Sequence, residues 1–292
     1  MPVYSYASVA SSWRPFMSGF NAFFDIFSYA FMVRALLAGL LIGLSGAFLG
    51  SFLVLKRFAM IGQGLAHVAF GAVAIGLLLS NQPLLIAMPI VVLVSVLILK
   101  LSEKTSVHGD AAIGLSATVA MALGTMLASI DGGFQTELNS YLFGSILTID
   151  RGDIWLSLAL FVGVLVFGVL YYYDLFSMTY DPIFAEVSTV RVKRLNLVLA
   201  ILTGITVVIG IQLLGTILIS SFIIFPTVIA MQFQKGFFNT LMIALSFAVS
   251  TVFIGISASF IYDLPTGSTI VLLNAIIFSV VYGFFAIKGG RV

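Results

Sequence analysis

A histidine and a glutamine lie one helical turn apart in an otherwise apolar part of this 292-residue chain, where residues 62–67 read GQGLAH. In a helix, residues i and i+4 lie on the same face, so Gln63 and His67 would face the same space. A neutral imidazole nitrogen is a good ligand for zinc or manganese, and an amide oxygen can contribute to the same site. The pair therefore predicts a transient metal site, weak enough to release the ion during permeation.

The alternative interpretation of these residues is structural. A buried histidine can hydrogen-bond a neighbouring carbonyl and fix the packing of two helices, with Gln63 as a second bridge. The nearby glycines fit both interpretations, because small residues let helices approach closely whether or not an ion passes. The chain's other histidine, His108, is expected to be a solvated loop residue, since the surrounding segment 104–110 is polar.

The elements that position these residues are expected to be membrane-spanning helices. Apolar residues make up 61% of the chain, charged residues 8%, and the mean hydropathy is +1.20, which excludes an ordinary soluble domain. Because a charge at mid-bilayer is costly, the spans should lie in stretches without Asp, Glu, Lys or Arg. These stretches are 35–55, 58–99, 111–130, 154–173, 195–234, 236–262 and 264–287.

Two of these stretches, 58–99 and 195–234, are about twice as long as the roughly 20 residues that one crossing needs. Each must fold back, and polar or helix-weakening clusters at 80–83 and 210–212 mark the predicted turns. The chain is therefore expected to be an all-α integral membrane protein, a polytopic bundle of about nine transmembrane helices. The predicted spans are 31–54, 63–79, 83–100, 112–130, 153–173, 195–211, 213–232, 239–260 and 268–287.

The basic residues predict the orientation. With an odd number of spans and the N-terminus outside, ten of the 13 Lys and Arg residues lie in the cytoplasm, as the positive-inside rule requires. We therefore expect a cytoplasmic C-terminus. Residues 1–30 carry Arg14, Asn21 and Asp25 and are expected to form an interfacial segment, with a tenth span as the alternative, and residues 31–292 a single transmembrane domain. The basic rim predicts contact with membrane lipid and no nucleic-acid partner.

A second candidate site lies in the longest predicted cytoplasmic connection. Asp181 is a good N-cap, and Pro182 suits the first position of a helix. Apolar residues then recur every three positions along one side: Phe184, Val187 and Val190. The pattern predicts a short amphipathic helix at about 180–190, which could lie at the membrane interface or dock on a cytoplasmic protein.

Residues for enzymatic chemistry are absent from the sequence. It contains no Gly-x-x-x-x-Gly-Lys-Ser/Thr phosphate loop, no His-Glu-x-x-His motif and no pair of carboxylates within a predicted span. It also contains no cysteine, which excludes disulfides and thiolate ligands. The chain is therefore not expected to be an enzyme, and any ATP-driven step would need a separate subunit.

An ordered set of short motifs resembles the zinc and manganese ABC-transporter permeases, often called the ABC-3 family of bacterial metal importers. The resemblance extends from about Arg34 to Lys288. Its pieces are GSFLVLKR at 50–57, GQGLAH at 62–67, AIG at 112–114, SYLFG at 140–144, Asp-Pro-x-Phe-Ala at 181–185, QLLG at 212–215 and the segment around Pro226.

The resemblance implies a fold like that of the type II ABC importers and the role of membrane permease, with zinc as the first expected cargo and manganese the next. It implies a homodimer in the bacterial plasma (inner) membrane. Its implied partners are a cytoplasmic ABC ATPase that hydrolyses ATP and an extracellular or periplasmic metal-binding protein. The transported Zn²⁺ or Mn²⁺ would be the metal involved, with no permanently bound cofactor.

The resemblance also assigns roles to residues. The metal path would be lined by Gln63 and His67. The ATPase would be contacted by a coupling helix containing Asp181, Pro182, Phe184, Ala185 and Glu186. The family usually has Asp where this sequence has Gln63, so a neutral oxygen replaces a negative charge there, which should weaken dication binding and alter selectivity.

Three other functions fit parts of the pattern. An ABC permease for a metal chelate such as haem, a siderophore or a cobalamin would share the general architecture, although such permeases usually have longer chains and need no mid-membrane histidine. An ATPase-independent secondary metal transporter or channel would share the metal site. In a membrane scaffold without transport activity, the polar residues would serve only the packing of the helices.

Overall fold

The computed structural model describes residues 29–79, 82–104, 109–131, 144, 149–188 and 190–288. Their regular structure is entirely α-helical. The helices are α1 (Ala30–Leu55), α2 (Ile61–Leu79), α3 (Pro83–Lys104), α4 (Gly109–Asp131), α5 (Arg151–Leu170), α6 (Tyr172–Tyr180), α7 (Pro182–Val187), α8 (Val192–Leu214), α9 (Thr216–Met231), α10 (Phe237–Tyr262) and α11 (Thr266–Ile287). The predicted interfacial segment 1–30 lies almost wholly outside the described residues.

The all-α membrane bundle predicted from the sequence is confirmed. Eight of the described helices are long and apolar enough to cross a membrane, and each coincides with a predicted span. The remaining predicted span, 213–232, corresponds to α9, which has only 16 residues. At 1.5 Å per residue it is about 24 Å long, somewhat shorter than the roughly 30 Å of a hydrocarbon core.

The helices divide into a buried centre and a rim. In α1 and α2, 72% of the most apolar stretch is buried within the chain, and in α8 the share is 67%. In α11 the share is only 11%, and in α3 and α4 it is 22%. The central helices therefore pack against protein, whereas the rim helices present apolar side chains to lipid or to another chain.

Small residues set the close packing at the centre. The Cα of Gly50 in α1 lies against the backbone carbonyl of Ile223 in α9, where a β-carbon would clash. The next residue, Ser51, shares a hydrogen bond of 3.2 Å with the hydroxyl of Thr227. In membrane helices, such small residues and hydroxyls hold neighbours together, because the hydrophobic effect contributes little between apolar helices in lipid.

The turn between α8 and α9 differs from the prediction. The sequence placed it at 210–212, but α8 continues to Leu214 and the chain turns at Gly215, with φ 87° and ψ 162°. That backbone conformation is essentially restricted to glycine. Gly210 instead stays in the helix and makes room for Ile219 of α9, and Gln212 finds a polar partner in Asp153.

Candidate metal path and coupling helix

The segment 62–67 forms the first turns of α2, and two glycines press this helix against its neighbours. A β-carbon on Gly62 would collide with Ile223 of α9, and one on Gly64 would collide with Ile113 of α4. These contacts fix the rotation of α2. Between them, Gln63 is exposed at the surface of the single chain.

His67 lies one turn further along the same face and is half-buried. Its Nδ1 is buried and has no hydrogen-bond partner. A buried polar atom without a partner costs free energy and needs an explanation, and a bound ion is one such explanation. The structural interpretation required a hydrogen bond that fixes helix packing, and none is found at this nitrogen.

His67 lies near the start of α2, soon after the turn that follows α1. Residues 56–60 form a turn rather than a helix, and Arg57 has φ 62°. His67 therefore lies six residues into α2, about 9 Å along the helix from its first residue.

A single chain does not provide a closed metal site among the residues that the structure describes. No group of three or more His, Cys, Asp or Glu side chains is close enough there to hold an ion. Gln63 and His67 therefore supply two donors at most, on a face that the chain itself leaves partly open. Such a pair suits brief binding of a cargo ion better than permanent retention.

The predicted short helix is present as α7, and its start is as expected. The Asp181 carboxylate accepts a hydrogen bond of 2.9 Å from the Phe184 N–H, and Pro182 occupies the first turn. The helix is shorter than predicted and ends at Val187. Val190 does not continue its exposed face, because it lies beyond the helix, is half-buried and donates its N–H to the Ala185 carbonyl at 3.1 Å.

The outer face of α7 is apolar and open. Ile183, Phe184 and Val187 are 78%, 62% and 81% exposed, whereas Ala185 is fully buried. Glu186 is exposed on the same short helix. Ala185 thus anchors α7 to the bundle, while three large apolar side chains point away from it. An exposed cluster of this kind marks a surface for a partner protein or a membrane.

The two candidate sites are linked through the turn between α1 and α2. A cavity of about 420 Å³ is bordered on one side by Lys56, Arg57 and Phe58 of that turn and on the other by Thr179, Tyr180 and Pro182. The turn leads directly into the helix that carries Gln63 and His67. Sequence reasoning missed this neighbourhood, since the two segments lie more than 100 residues apart.

Two further motif segments meet at the other end of α8. Gly144 has φ 73°, and its Cα lies against the backbone of Leu214 and Gly215. Nearby, the Gln212 amide donates to the Asp153 carboxylate at 3.4 Å. Gly144 and the segment 212–215 are therefore adjacent in space. Their contact fixes the tight turn before α9, and they contribute no group of side chains that could hold a metal ion.

Comparison with known proteins gives a consistent result. The family described as ABC 3 transport family matches residues 28–285. The manganese transport system membrane protein MntC of Halalkalibacterium halodurans is 30% identical over 275 residues, which are 94% of each chain. The manganese import system permease protein ScaB of Streptococcus parasanguinis is 27% identical over 250 residues, 86% of this chain and 89% of ScaB.

A solved structure shares the fold. It is PsaBC from Streptococcus pneumoniae in complex with Fab, which superimposes with a TM-score of 0.79 at 22% sequence identity. The match covers 91% of this chain and 99% of the other.

Proposed function

This chain belongs to the ABC 3 transport family, and we propose that it is the membrane permease subunit of an ATP-driven importer of divalent metal ions. The observation that carries the proposal is His67, a membrane-embedded imidazole whose buried Nδ1 has no hydrogen-bond partner. Ionisable residues inside membrane spans are rare and are functional candidates by default.

The proposed cargo is Mn²⁺ first and Zn²⁺ second. The family resemblance implies zinc first, but similar proteins carry the names of manganese transport systems. Gln63 adds an oxygen donor, which suits Mn²⁺ better than it suits softer ions. Because that donor is neutral, the ion would be held weakly and released readily.

The site would be completed by a second copy of the chain. One chain offers two donors on an open face, so two copies related by a twofold axis would offer two imidazoles and two amide oxygens. Water would fill the remaining coordination positions of a passing ion. The exposure of Gln63 in the single chain supports this arrangement, since a ligand that faces a partner chain must lie at the surface.

ATP hydrolysis would be supplied by a separate cytoplasmic ATPase that binds α7. The exposed Ile183, Phe184 and Val187 would insert into a groove of that subunit. Movement of α7 would then reach the α1–α2 turn across the cavity lined by Arg57 and Pro182, and from there the start of α2. An extracellular or periplasmic metal-binding protein would deliver the ion at the opposite side, with the N-terminus outside and the C-terminus in the cytoplasm.

A direct test measures the uptake of radiolabelled Mn²⁺ and Zn²⁺ in cells whose native permease is replaced by a variant. We expect His67→Ala to reduce uptake at least tenfold at normal expression, because the variant removes a ligand that contacts the ion. His108→Ala provides the matched control, since it removes the chain's other histidine, which is expected to be solvated. Native uptake by His67→Ala would refute the assignment of the site.

The alternatives differ in their requirements. A chelate permease would import the loaded chelate and fail to import the free ion, and its transport would tolerate His67→Ala. A secondary transporter would work without the ATPase. Uptake that persists in a strain lacking the cognate ATPase would therefore exclude the proposed coupling, whatever the effect of His67→Ala.

A further inference from the structure

A cavity of about 610 Å³ lies where α5 ends and α8 begins, beside α7. Its walls come from the last turn of α5 and the start of α6, from the connection after α7, and from the first turns of α8. The lining side chains are Phe167, Tyr171, Asp174, Ser188, Val190, Arg191, Arg194, Leu195 and Val198. The proposed function does not use this cavity.

The cavity has one apolar and one cationic side. Phe167, Leu195 and Val198 belong to the apolar spans of α5 and α8 and therefore lie at membrane depth. Arg191 and Arg194 lie at the end of α8 where the span begins, and both are exposed. A ligand that fills the cavity would thus touch apolar side chains of two membrane-spanning helices and two guanidinium groups at once.

The two arginines have no ion pair within the described part of the chain. Asp174 also lines the cavity, but neither guanidinium reaches it within salt-bridge distance, and a single carboxylate would leave a net positive charge. Arginine binds phosphate through paired N–H donors, and basic pockets between membrane helices at this depth are typical binding sites for anionic lipid headgroups.

We propose that this cavity binds an anionic phospholipid, with its phosphate against Arg191 and Arg194 and an acyl chain along Phe167 and Val198. The apolar wall favours a lipid over a soluble phosphate or an acidic protein segment, because neither of those would cover it. With the orientation given in the proposed function, this lipid would belong to the cytoplasmic leaflet. Its binding to the cavity does not depend on that orientation.

The experiment uses the purified full-length permease in detergent without any ATPase, so its outcome is independent of transport. Native mass spectrometry counts the lipids retained after addition of phosphatidylglycerol or phosphatidylcholine. We expect the wild-type chain to retain phosphatidylglycerol and to lose phosphatidylcholine. The variant R191Q/R194Q should bind phosphatidylglycerol about 30-fold more weakly, because each arginine near the surface contributes roughly a factor of five.

The matched control is K193Q/K235Q, which removes two exposed lysines that do not line the cavity. It should retain phosphatidylglycerol like the wild-type chain.

Equal loss of phosphatidylglycerol in both double variants would overturn the proposal, since the effect would then come from overall charge. Equal binding by glycerophosphoglycerol, the headgroup without acyl chains, would also overturn it, as would retention of the lipid by R191Q/R194Q.

Discussion

Replacing Asp181 with alanine removes the N-cap of α7 and should weaken the proposed contact with the ATPase subunit. The Asp181 carboxylate accepts a hydrogen bond of 2.9 Å from the Phe184 N–H. Without the carboxylate, that N–H loses its capping partner. Removal of an N-cap costs about 1 kcal/mol, with a range of roughly 0.5–2 kcal/mol. A helix of six residues has little stability of its own, so this loss matters more here than in a long helix.

The magnitude follows from that free energy. About 1 kcal/mol corresponds to a factor of about five in an equilibrium constant. If α7 must be helical to bind, the Kd for the ATPase rises by up to this factor, because only the helical fraction binds. The assay titrates the purified ATPase onto the permease in lipid nanodiscs and measures both binding and metal-dependent ATP hydrolysis.

The conservative variant Asp181→Asn separates the cap from the charge. Asparagine caps helices about as well as aspartate, so Asp181→Asn should bind the ATPase like the wild-type chain. If Asp181→Asn were as weak as Asp181→Ala, the carboxylate charge rather than the cap would matter. If both variants bound with wild-type affinity, α7 would not be the docking element, and the proposed coupling would be wrong.

Two further predictions concern the ion site and the fold. Gln63→Asp should lower the KM for Mn²⁺ uptake about tenfold, because a carboxylate attracts a dication more strongly than an amide, and an unchanged KM would show that residue 63 does not meet the ion. Gly215→Ala should destabilise the chain by about 1–3 kcal/mol, seen as a lower Tm in detergent, because its φ and ψ are nearly restricted to glycine. Gly163→Ala is the control for the second variant and should leave the Tm equal or slightly higher, since a β-carbon there meets nothing within 4 Å.

Much of the fold could be predicted from the sequence, because a charge inside the bilayer is costly and charge-free runs therefore mark the spans. The turn before α9 was misplaced for a physical reason. Gln212 looks like a turn residue when it is read alone, yet its amide is satisfied by Asp153 from another helix. The conformation of Gly215 depends on the packing of α9 and leaves no distinct mark in the sequence.

The candidate sites were predictable to different degrees. His67 stood out because an ionisable residue is rare within an apolar run, and Asp181-Pro182 because caps follow local rules. Arg57 did not stand out. Its proximity to Pro182 arises only when the α1–α2 turn and α7 meet at the same end of the bundle, which no local pattern encodes.

The short length of α9 has a consequence for the helices around it. The neighbouring helices α10 and α11, with 26 and 22 residues, are long enough to match the full thickness of the bilayer, whereas α9 extends for about 24 Å. Gly215, at its first end, is buried by protein, as irregular backbone at membrane depth must be. Protein therefore fills the part of the membrane thickness that α9 leaves uncovered, and the neighbouring helices keep the backbone groups at Gly215 away from lipid.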